Sequence, residues 1–186
     1  MAFWKGLGVG ILGAIIVAAI SSILMVGSGA DAGTSLAMLI MFAVFAAFDT
    51  GFAYYGAKEG FGIASQLFFF IFIGFMFMFS IVSISVGPQE LRSNPTNVQI
   101  AITRTPLIAT GLTLVIWYLM LGNGVCDSVW LAGAVPLGSA IVGFLLSLIF
   151  TAINPIASLI VAIVVGVGSI VAIILMRIFR GSLLDI

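Results

Sequence analysis

The chain has no histidine, one cysteine and very little charge. Each shortage excludes something. Without histidine, the usual ligand for haem, catalytic zinc and copper is missing, and so is the usual general base near pH 7. The single thiol, Cys126, cannot form a disulfide, a zinc cluster or an iron–sulfur site from this chain alone. It reads as inert packing. Six Lys/Arg balance six Asp/Glu, so net charge is zero. That leaves neither a basic field for nucleic acid nor an acidic tail. No metal, no cofactor and no nucleic-acid partner is expected, and the chain is read as not an enzyme. It carries no Asn-X-Ser/Thr sequon, because Asn94 is followed by Pro95.

Hydrophobic residues make up 63% of the 186 positions and charged residues 6%. A soluble domain carries about 25% charged residues. The charges here are too few to cover a globule of this size, so hydrocarbon must be the solvent. The expected fold class is all-α: a polytopic transmembrane helix bundle of about six spans with short loops. The spans are expected at Leu7 to Gly27, Thr34 to Ala57, Phe61 to Gly87, Pro106 to Gly122, Trp130 to Phe150 and Ile156 to Met176. The first follows Lys5 and precedes Ser28-Gly29-Ala30, as in a signal peptide. Its apolar run is long for that role and is read as a retained helix.

The whole chain, 1–186, reads as one transmembrane domain. The polar loop 88–97 divides it into candidate halves 1–87 and 98–186. Leu24-Met25-Val26-Gly27-Ser28-Gly29 before Asp31 resembles Leu119-Met120-Leu121-Gly122-Asn123-Gly124 before Asp127. Three spans per half would give an inverted repeat, a plan found in many transporters. Thr96 and Gln99 fit a capping box that starts a helix near Asn97. Pro106 is expected to kink that helix, leaving Arg104 on an interfacial half-helix rather than buried. Asn154 before Pro155 reads as a tight turn between the last two spans; a single re-entrant unit is the alternative there.

Orientation follows the Lys/Arg bias of short loops. Lys5, Lys58, Arg177 and Arg180 fall on one side and Arg92 and Arg104 on the other. Both termini are therefore expected in the cytoplasm. Trp4, Tyr54, Tyr55, Trp117, Tyr118 and Trp130 lie near span ends, where amphipathic rings sit at the headgroups.

Small residues recur at helical spacing, and close backbone approach is what packs helices in lipid. Gly6, Gly10, Ala14, Ala18 and Ser22 run along the first span, and Ser158, Ala162, Gly166 and Ser169 along the last. Ser139, Gly143, Ser147 and Thr151 mark the fifth, Thr110 and Thr113 the fourth. These are internal contacts or, on one helix, a seam for a partner subunit; the first span is the best candidate for such a seam. Asp49, with Thr50 beside it, is the carboxylate that stands out, near the middle of the second span. A charge there costs about 2.5–3.5 kcal/mol on insertion scales. It is either an ion or proton site, or a protonated acid bonded across a helix contact. Asp49-Thr50-Gly51 is also the triplet of aspartic proteases, but that chemistry needs a second carboxylate sharing a proton. Asp31-Ala32-Gly33 is a faint partner at a membrane edge, and no protease is expected.

Two functions follow. One is a non-catalytic multi-pass subunit of a larger membrane assembly, with lipid and other membrane subunits, or further copies of itself, as partners. The other is a small transporter or channel for ions or protons that uses Asp49.

Overall fold

The computed structural model describes residues 2–37, 39–41, 43–44, 71, 74, 94–122 and 129–184. Four long helices stand out: α1 (Ala2–Gly27), α2 (Asn97–Gly122), α3 (Val129–Ile153) and α4 (Pro155–Leu184). A further helical stretch begins at Ala32. No strand occurs among the described residues. Among the described residues, three helices are long and apolar enough to cross a membrane: Asn97–Ile116 of α2, Gly133–Ile153 of α3 and Pro155–Ala172 of α4. α1 contributes the shorter apolar stretch Ile11–Gly27.

The helix ends are set by local chemistry. α1 stops in a Schellman turn: Ala30 N–H donates to the Met25 carbonyl (3.1 Å) and Gly29 N–H to that of Val26 (3.0 Å). The turn needs a left-handed residue, and Gly29 supplies it at φ 89°. Asp31 then caps the next helix, its Oδ1 accepting the Thr34 N–H at 2.6 Å. α2 opens with the expected capping box. Thr96 N–H donates to Gln99 Oε1 (3.0 Å), and Gln99 N–H returns a bond to Thr96 Oγ1 (3.3 Å). Only Asn154 separates α3 from α4. Its side chain accepts the Ile156 N–H at 2.8 Å, and Pro155 takes the first helical position, where no N–H is needed.

α2 is the centre of the bundle. Of its apolar window, 83% is buried, against 33% for α3 and 22% for α4. Among the described residues, Ile102, Leu107 and Ile108 on α2 and Met25 on α1 are the largest fully buried side chains. Glycines let the backbones meet. A Cβ added at Gly111 would lie 2.8 Å from the Val165 carbonyl oxygen and 3.2 Å from Gly166 Cα. A Cβ at Gly143 would lie 3.3 Å from Ala109 N and from the Ile108 side chain. One at Gly133 would strike Val9 of α1 at 2.6 Å. These pairings, with Gln99 Nε2 reaching the Ser28 carbonyl (3.4 Å), fix the directions: α1 runs with α3, and α2 and α4 run the opposite way.

The residues before Pro106 do not form a separate element. α2 runs through it without interruption, and Arg104 is buried at 5% exposure. There is no interfacial half-helix. Proline removes one N–H bond, the one the Ile102 carbonyl would accept, and threonine hydroxyls bond other carbonyls of the same stretch. Thr103 donates to Ile100 O (2.7 Å), Thr105 to Ala101 O (2.8 Å) and Thr110 to Pro106 O (2.8 Å).

Candidate functional site

The polar interior of the bundle lies on the faces where α2 meets α3 and α4. Ser139, Ser147 and Thr151 on α3 are buried, as are Ser158 and Ser169 on α4 and Thr103, Arg104, Thr110 and Thr113 on α2. Some of these hydroxyls bond their own helix. Ser158 Oγ donates to Pro155 O and Ser169 Oγ to Gly166 O. Others do not. Thr113 Oγ1, Ser139 Oγ, Ser147 Oγ, Thr151 Oγ1 and the Nε and Nη1 nitrogens of Arg104 are buried without a hydrogen-bond partner. Buried polar atoms are almost always paired, so such a set calls for a physical reason.

The stripes from the sequence fall as follows. On α4, Ser158, Ala162 and Gly166 are buried on the inner face, Gly166 against Leu107. On α1, Ala18 is buried and Ser22 half-buried, and the buried side includes Val17, Ser21 and Met25. Of the other three, only the place in α1 is described: Gly6, Gly10 and Ala14 lie in its first half. Thus the stripe expected as an outer seam points inward at Ala18. Asp49 and Thr50 lie outside the described residues. Asp31 is fully exposed, and the Thr34 N–H bonded to it holds its carboxyl below the usual 3.8. Its place is that of a helix cap.

Sequence reasoning missed Arg104 as an interior group. The signal was present: α2 has threonines at 103, 105, 110 and 113, a polar content that suits a helix surrounded by protein better than one facing lipid.

A groove of about 210 Å³ opens between α1, α2 and α3. Val17, Leu24, Ile102, Leu137, Phe144 and Leu145 line it. Its two hydroxyls, Ser21 and Thr105, are spent on the carbonyls of Val17 and Ala101. Its walls therefore offer apolar contact and no acid, base or nucleophile. Among the described residues no three His, Cys, Asp or Glu lie close enough to hold a metal ion.

Fold and interior together define an all-helical protein with apolar helices suited to a membrane. No protein-family model matches the chain, and no curated protein or solved structure matches it.

Proposed function

We propose that the chain is a multi-pass integral membrane protein of about six spans, with both termini in the cytoplasm, and a non-catalytic subunit of a larger membrane assembly. The observation that carries this reading is the uncovered face of α4. Val164 (62% exposed), Val167 and Val171 stand outward there, and Gly168 beside them has nothing within 4 Å of where its Cβ would be. An outward glycine among short β-branched residues lets a second helix approach closely, which is how helices associate in lipid. The small-residue seam expected on α1 has its better counterpart here.

The test is cysteine crosslinking in native membranes. Val164→Cys, in a chain whose Cys126 is replaced by alanine, is expected to trap a second, different membrane protein, identified by mass. A monodisperse single chain in mild detergent, with no crosslink from this position, would overturn the subunit reading.

A second reading, a small transporter or channel using Asp49, draws support from the unpaired polar atoms of α2 and α3. Purified chain in liposomes would then carry ion or proton flux, and Asp49→Asn would abolish it. Flux unchanged by that substitution removes Asp49 from the mechanism.

A further inference from the structure

We infer that Arg104, with Ser147 and Thr151, forms a buried binding site for a small inorganic anion at the meeting of α2, α3 and α4. The site stands whether or not the protein carries anything across the membrane.

Residues three, four and seven positions beyond Arg104 share its side of α2. These are Leu107, Ile108 and Gly111. Leu107 meets Gly166, Ile108 meets Gly143, and Gly111 meets Val165 and Gly166. Arg104 therefore faces α3 and α4. Its level follows from the same contacts. α3 runs opposite to α2, so one turn beyond Gly143 brings Ser147 level with Arg104, and a second turn brings Thr151 beside the start of α2. α4 runs with α2, so one turn before Gly166 places Ala162 at that level, where its small side chain leaves room. The three polar residues gather toward the closed end of the hairpin, marked by Asn154.

A guanidinium stays charged in a protein. Burying it without a counter-charge costs several kcal/mol after relaxation. α3 and α4, the helices it faces, contain no Asp or Glu along their whole length. Ser147 and Thr151 are 0% and 1% exposed, and their hydroxyls are unpaired, as are Arg104 Nε and Nη1. Bridging water can satisfy the hydroxyls, but it cannot neutralise the cation. A small anion does both: it accepts from the guanidinium and from two O–H donors at once. Donors of this kind, held in place by packing rather than by bonds to one another, suit an anion that has shed its water.

The experiment uses the full chain in uncharged detergent, with chloride as probe. Chloride replaces gluconate at constant ionic strength while the unfolding midpoint is followed. Wild type is expected to gain roughly 3–6 °C at about ten times the dissociation constant. Arg104→Met, an apolar replacement of similar reach, is expected to fold and to lose the chloride response altogether. Ser147→Ala with Thr151→Val keeps the charge and should weaken chloride binding about tenfold. This pair keeps the inference open to refutation should the Arg104 variant not fold. A wild type indifferent to chloride would overturn the site, since the counter-charge would then come from elsewhere in the chain. So would an equal response in Arg104→Met, or stabilisation by an anionic phospholipid but not by chloride.

Discussion

α2 and α4 are built inside out relative to one another. α2 has 83% of its apolar window buried and places a guanidinium and four threonine hydroxyls in the interior. α4 has 22% buried and turns isoleucine, leucine and valine outward, keeping serine, alanine and glycine for its single inner edge. In water the central helix would be the greasy one. Here the burial gradient and the polarity gradient run the same way. Only a hydrocarbon solvent makes that arrangement favourable, because polar groups then find their partners inside the protein and nowhere else.

The sharpest way to break this contrast is to put a charge on the wrong helix. Val164 sits near the middle of the apolar window of α4 and is 62% exposed. Val164→Asp is expected to cost about 2.5–3.5 kcal/mol of insertion free energy, measured as the inserted fraction of α4 in a microsomal insertion assay. If the aspartate left insertion unchanged and the variant dissolved without detergent, α4 would face water and the contrast would collapse.

The second test probes how closely the two helices lie. Gly111→Ala drives a methyl group into backbone, the Val165 carbonyl at 2.8 Å, and backbone cannot move aside. A destabilisation of about 1–3 kcal/mol is expected. Gly166→Ala meets the Leu107 side chain, Cδ1 at 2.5 Å and Cγ at 2.8 Å, and no backbone. It should cost less than Gly111→Ala, about 1–2 kcal/mol, because a side chain can turn where backbone cannot. Reversible unfolding of the two variants in mixed micelles gives both values. Equal losses would mean that side chains, rather than backbones, set the approach of α2 to α4.

Much of this architecture was legible in the sequence, and the failures share one cause. The capping box at Thr96 and Gln99, the stop at Gly29 and the turn at Asn154 are local devices, and local chemistry is written in adjacent residues. The face of α3 carrying Ser139, Gly143, Ser147 and Thr151 was legible too, because helical spacing alone defines it. Which helix lies at the centre was not. That depends on how whole helices pack, and a single helix carries it as no more than a trace, here the threonine content of α2. Arg104 is therefore expected on an interfacial half-helix before Pro106, whereas the packing around α2 buries it. Pro106 is expected to kink α2, and the helix continues through it: the rule counts the lost N–H bond, while the surrounding helices lie outside the rule. On α1 the expected outer seam turns inward at Ala18, on the side where α1 packs against α3.

The smallest effect separates the two charges the structure describes most fully. Arg104 is buried in the bundle. Asp31 is fully exposed, bonded to the Thr34 N–H at the start of a helix. Because that bond lowers the Asp31 pKa below 3.8, its contribution is fully present above 3.8 and fades as acid protonates the folded state below it. Solvent screens an exposed group, so the global unfolding midpoint should barely move across that window. The local signal should move: exchange of the Thr34 and Ser35 amides is expected to quicken, relative to their intrinsic rates, as pH drops below 3.8. Asp31→Asn keeps an oxygen for the cap but has no proton to gain, so the acid-dependent part should vanish while neutral-pH protection is retained. If the asparagine variant showed the same acid response, the titrating group would be another carboxylate, and the cap at Asp31 would not be what holds that helix start in place.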